Sequence, residues 1–160
     1  MNTRTLPAAR QRGSAVVELA IVISVMVALA FGVTELGRAI YQYNTLVKAS
    51  RDAARYLSSQ GPGDPADISK AQCLAVYGNA GCTGSPLVPN LTIAMVSVCD
   101  SISCPGTHQN QVTGSGVINL VTVTISGYTF NTMVPLSLFT SLAGNSFVFS
   151  PASTTMRQIL

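Results

Sequence analysis

Two groups of side chains in this sequence are placed to do chemistry. The first is the run Gly13-Ser14-Ala15-Val16-Val17-Glu18-Leu19. Glu18 is the lone ionisable residue between Arg12 and Glu35. A carboxylate in such an apolar stretch costs about 2.5–3.5 kcal/mol at the centre of a membrane helix, and less near an edge. A plain anchor would lack it, so Glu18 is expected to have a task. Gly13 stands five residues earlier, after a leader that carries Arg4, Arg10 and Arg12 and no acid. A peptidase cutting between Gly13 and Ser14 would leave a new amine one helical turn from Glu18. The second group is Cys73, Cys82, Cys99 and Cys104, an even number confined to the C-terminal half. In an exported chain they read as two disulfides. Three connectivities are open; the shortest loops pair Cys73 with Cys82 and Cys99 with Cys104. The rival is a zinc site, but the spacings are not those of C-x-x-C knuckles and His108 is the single histidine.

The remaining candidates do not assemble into an active site. No H-E-x-x-H, G-x-S-x-G, P-loop or G-x-G-x-x-G pattern occurs. Asp64, Asp67 and Asp100 are scattered in loops, and a calcium site at the first two has little support. His108 reads as a solvated loop residue. No catalytic residue, metal or cofactor is expected.

These groups need elements to hold them. Hydrophobic residues make up 48% of the 160-residue chain and charged residues 9%, far below the roughly 25% of soluble domains. That suits one domain plus one segment in lipid. The net charge of +3 comes from the leader arginines; without residues 1–13, bases and acids balance at six each. A nucleic-acid surface is therefore not expected. Ala15 to Val33 would rise about 28 Å as a helix, close to the hydrocarbon thickness. Arg38, Lys48 and Arg51 flank it on the far side, so the count of positive charges does not orient it alone. The short acid-free N-terminal flank, and cysteines that favour an oxidising compartment, place the N-terminus in the cytoplasm and the C-terminal part outside. A secretory signal cut after Ala28-Leu29-Ala30 is the rival. Against it, Glu18 interrupts the apolar core and the helical pattern runs on without a breaker.

From Thr34 to Gln60 the chain has no proline and one glycine, Gly37. Val33, Leu36, Ile40, Tyr43, Val47, Ser50, Ala54 and Leu57 follow steps of three and four, predicting one narrow apolar stripe. Glu35–Arg38, Lys48–Asp52 and Asp52–Arg55 are spaced as helical ion pairs, and Tyr41 and Tyr43 suit an interface. Gly61-Pro62-Gly63 ends the helix. Residues 14–60 thus form one helix, with the membrane segment at about 15–33, and residues 61–160 a small β-rich domain. In that domain a short helical turn is expected at Ile68–Tyr77, and strands at Leu91–Val98, Val117–Ser126 and Ser146–Met156. Alternation of Val121, Val123 and Ile125 with Thr122, Thr124 and Ser126 is the clearest strand signal, which Tyr128 and Phe130 extend. Asp100–Gly116 and the apolar Val134–Leu142, with Pro135, read as loop or short helix. Pro151 marks an edge or bulge. The fold class is α+β: a long helix packed on a small antiparallel sheet.

Three blocks resemble a known family. They are RGSAVVELAIV (Arg12 to Val22), FGVTELGRAIYQYNTLVKASRDAARYL (Phe31 to Leu57), and VTVTISGYTF with PLSLF and TTMR, spread over Val121 to Arg157. Together they are similar to TadE-like proteins, minor pseudopilins of the tight-adherence (Flp) pilus system; the resemblance is poor from Ser58 to Gly116, where the family varies. The resemblance implies a pilin-like fold, with a type IV prepilin leader cut after Gly13 by a membrane aspartyl protease. It also implies inner-membrane residence, with other pseudopilins, the major pilin, the prepilin peptidase and platform proteins as partners. Gly13, Ser14 and Glu18 would form the processing site, and Glu18 would serve assembly. Glu35 and Arg38, just past the apolar run, are expected to mark the outer membrane–water boundary and pair with each other, with an assembly contact to a neighbouring subunit as the alternative. The chain departs from the Flp-type motif at Leu19, where tyrosine usually follows the glutamate. Two other functions compete: an uncut single-pass anchor displaying a disulfide-bonded adhesion domain, and a secreted enzyme with an unrecognised site.

Overall fold

The computed structural model describes residues 12–133 and 145–159, with Arg12 described by its backbone alone. The leader arginines Arg4 and Arg10 and the apolar Val134–Leu142 stretch lie outside the described residues. An unbroken helix α1, Arg12–Ser58, is followed by α2, Pro65–Tyr77, and a 3-10 turn at Ile93–Met95. Then come β1 (Val96–Cys99), the four-residue α3 (Pro105–His108), β2 (Gln111–Thr113), β3 (Gly116–Ile125), β4 (Thr129–Asn131), β5 (Ser146–Val148) and β6 (Ala152–Gln158). This is an α+β fold with a long N-terminal helix and antiparallel sheets.

Strand β3 organises the main sheet. β1 pairs with its second half (Val96 opposite Ile125), β2 forms a hairpin with its start, and β6 runs along it from Asn119–Gln158 to Ile125–Ala152. Val121, Val123 and Ile125 point inward and are buried; burial of each such side chain contributes about 1.5–3 kcal/mol. The outward positions pair hydroxyls: Thr122 Oγ1 lies 2.7 Å from Thr155 Oγ1, and Thr124 Oγ1 2.9 Å from Ser153 Oγ. β4 and β5 form a separate two-stranded sheet. Gly127, at φ +72, makes the break. A left-handed backbone there costs glycine nothing, and it turns Tyr128 and Phe130 out of β3 into their own strand rather than extending it.

The C-terminal half of α1 is covered on two sides, by α2 and by the main sheet. Its buried face is Ala39, Gln42, Leu46, Ala49, Ser50, Ala53, Ala54 and Leu57. The predicted stripe is correct at Ser50, Ala54 and Leu57. It fails upstream, where Val33, Leu36 and Ile40 are exposed. Two covering layers need a wider face than one stripe, and the closeness of α2 selects alanines that an apolar-stripe count passes over. Ser50 Oγ meets Thr154 Oγ1 of β6 at 2.9 Å. The Tyr128 hydroxyl lies 2.9 Å from both Gln42 Oε1 and Pro89 O; with one proton it donates to one of them. Of the three predicted helical ion pairs, Glu35–Arg38 alone forms among the described residues.

The remaining differences have local causes. α2 is a full helix, longer than the turn expected at Ile68–Tyr77. Asp64 caps it by accepting from the Ala66 N–H, Pro65 opens it, and Gly78 at φ +72 closes it. The strand expected from Leu91 begins only at Val96, after the 3-10 turn. The expected Asp100–Gly116 loop holds α3 and β2. The expected Ser146–Met156 strand is two strands, parted at Ser150-Pro151, where proline has no N–H for a ladder.

Candidate membrane and assembly site

α1 is the one helix among the described residues long and apolar enough to cross a membrane, and the chain itself buries none of that span. Val16, Val17, Leu19, Ile21, Val25, Met26 and Leu29 all stand exposed around it. This fits a single-pass membrane anchor. Gly13 and Ser14 lie in its first turn, exposed. Glu18 is exposed one turn further on. Ala28 and Gly32 floor a shallow apolar groove with Val25, Leu29, Val33 and Leu36.

Glu35 and Arg38 are not joined to Glu18: seventeen residues of helix put about 25 Å between the two carboxylates. They form a dock for the small sheet instead. Arg38 donates through Nη2 to Asn131 O at 2.7 Å, and its guanidinium sits 4.9 Å from the centre of the Phe130 ring. Glu35 Oε1 accepts from the Met133 N–H at 2.8 Å. Arg38 Nη1 lies 3.3 Å from each Glu35 carboxylate oxygen. Oε2 is buried and makes no hydrogen bond, so its charge is balanced by that ion pair. Above the dock, Phe130, Phe147, Phe149, Tyr128 and Tyr43 form an aromatic cluster with ring centres 5.1–5.7 Å apart. The roles of Asn131, Met133 and Phe130 were missed in the sequence. Two aromatic runs, Tyr128-Thr-Phe130 and Phe147-Val-Phe149, were the available signal.

The cysteines pair as Cys73–Cys82 and Cys99–Cys104. The first ties α2 to the loop that follows it; the second closes the turn after β1. His108 corrects its sequence reading as a solvated residue. Its ring is half-buried, 2.7 Å from both Thr107 Oγ1 and Thr122 Oγ1 and 3.8 Å from Cys99 Sγ. Cys99, Cys104 and His108 lie close enough to share a metal, but both sulfurs are spent on the disulfide. The three aspartates act separately. Asp64 caps α2. Asp67 accepts from Lys70 Nζ at 3.0 Å and from the Tyr56 hydroxyl at 2.9 Å, which holds its carboxyl below the usual range. Burial works against the Asp100 carboxylate, but the N–H groups of Ser103, Gly63 and Ile102 and the Ser103 hydroxyl outweigh it and lower its pKa. Asp100 thereby ties the β1 turn to the connection between α1 and α2.

No curated protein and no solved structure matches the chain. Residues 13–55, which hold the exposed apolar span and the dock with most of the buried face beyond it, match the family model described as TadE-like protein.

Proposed function

We propose that this protein is a minor pseudopilin that takes part in the assembly or initiation of a tight-adherence type IV pilus. In this reading a prepilin peptidase cuts it after Gly13. The TadE-like match implies a Tad pilus-associated protein, and such proteins are structural. The observation that carries the finer reading is Glu18, exposed on the membrane-type half of α1 one turn from the residue that would become the N-terminus. Once residues 1–13 are removed, the next basic side chain along α1 is Arg38, about 30 Å away. A neighbouring subunit's freed Ser14 amine would then be the partner that neutralises Glu18. An unpaired charge in an apolar setting costs several kcal/mol, so the pairing would favour correctly registered neighbours. The groove at Ala28 and Gly32 gives a second helix room to approach. The sheet domain would stand outside the inner membrane, where the two disulfides persist.

The test is the intact mass of membrane-extracted protein from cells with and without the peptidase, together with piliation of a Glu18→Ala strain. The reading expects loss of residues 1–13 only when the peptidase is present, and loss of pili with the Glu18→Ala protein still anchored. Protein that keeps Met1 in peptidase-competent cells, or normal piliation without the carboxylate, would instead favour an uncut anchor displaying its disulfide-bonded domain.

A further inference from the structure

We infer that the β4–β5 sheet rests on the bilayer as a second membrane contact, its exposed apolar end lying in the outer interface of the membrane that α1 enters. This rests on the reading of α1 as a membrane span. Its contacts descend the helix in register. Tyr128 meets Gln42, Asn131 meets Arg38, and Met133 meets Glu35. Glu35 is two residues past Val33, an axial rise of about 3 Å. The backbone of Met133 is therefore level with the end of the apolar span.

The side chains at that level suit lipid. Met133 is 80% exposed, Val148 63% and Phe147 43%. No Asp, Glu, Lys or Arg occurs between Asp100 and Arg157. The two charges present, Glu35 and Arg38, compensate each other and face the backbone of β4 and the residues after it. Lipid is favoured over a second protein copy by the distribution around the axis. At about 100° per residue, Glu35, Arg38 and Gln42 face the small sheet, while exposed Leu36 and Ile40 cover the far side and Tyr41 a flank. A protein partner needs one face; exposed apolar side chains on the far side and flank of α1 as well as on the small sheet match a surrounding interface, where tyrosine is also enriched.

The chain contains no tryptophan, so single-tryptophan variants of the full protein can report depth in phosphatidylcholine vesicles carrying nitroxide lipids. Met133→Trp and Val148→Trp replace exposed side chains and should leave the fold intact. Their emission should be blue-shifted, and quenched more strongly by a nitroxide near the headgroup than by one in mid-chain. Val25→Trp should show the reverse preference. Val112→Trp, in β2 at the end of the sheet remote from the span, should be quenched by neither. If Met133→Trp and Val148→Trp are no more quenched than Val112→Trp while Val25→Trp is quenched, the inference falls and the anchor stands. If Val25→Trp is also unquenched, the anchor falls and the inference with it. Emission at Met133 and Val148 that responds to protein-to-lipid ratio but not to nitroxide would assign the face to a second copy and overturn the lipid contact.

Discussion

Replacing Arg38 with methionine should release the small sheet from α1 while leaving the main sheet closed. The variant keeps much of the aliphatic stem and loses three interactions: the bond to Asn131 O, the contact with the Phe130 ring, and the countercharge for Glu35. A charge-assisted hydrogen bond contributes about 1.5–3 kcal/mol when buried, and the ring contact about 0.5–1 kcal/mol. The Arg38 side chain is 26% exposed and that of Glu35 12%, so water softens both terms. A local loss of about 2 kcal/mol follows, or about 30-fold in an opening equilibrium. Amide hydrogen exchange on the micelle-embedded protein reads this directly. Exchange at Thr129–Asn131 and Ser146–Val148 should speed up by about that factor, while β3 and β6 keep their protection. Adding Glu35→Gln should restore part of the loss, because the unpaired charge is then gone. Unchanged exchange in β4 and β5, or equal loss across both sheets, would refute the dock.

Three further outcomes follow from other contacts. Asp100 has a lowered folded pKa, so its stabilisation is complete above the unfolded value of about 3.9 and disappears as pH falls through the folded value. Asp100→Asn should therefore lower the thermal midpoint at neutral pH and flatten its fall in acid, measured by circular dichroism across that window. Ala53 is fully buried on the crowded face of α1, and Ala53→Leu should cost about 1–3 kcal/mol by overpacking, read as a shift in denaturant midpoint at constant slope. Opening the five-residue Cys99–Cys104 separation with Cys99→Ser and Cys104→Ser together should cost about 2 kcal/mol on the chain-entropy account. The accompanying loosening should appear first in exchange at Val96–Cys99.

The parts of the fold visible in the sequence are those set by strong local patterns. The apolar span and unbroken periodicity marked α1, and strict alternation marked β3. α2 also had local signals, Asp64-Pro65 at one end and Gly78 at the other, but the surrounding Gly, Pro and Ser masked them. The small sheet had none of comparable strength. Its three-residue strands are held by aromatic contacts and by Arg38, all distant in sequence, and a window of residues does not see such partners. The phase of the buried face on α1 failed for a related reason: Ala39, Gln42 and Ala49 are chosen by what covers them rather than by hydrophobicity. For the candidate site, the unusual position of Glu18 was plain because apolar surroundings make a carboxylate conspicuous. The use of Glu35 and Arg38 depended on backbone groups about ninety residues away.

The 47-residue α1 spans about 70 Å in one hydrogen-bonded spiral with no proline. A chain pulled or turned by the apolar half of this helix has no hinge in which to dissipate the motion. Load applied near Glu18 would arrive first at the Arg38 contacts and then at Ser50 and Thr154. A helix that fits a membrane anchor would thus also serve as a mechanical shaft, with the two sheets coupled to it at different heights like fittings clamped along a rod.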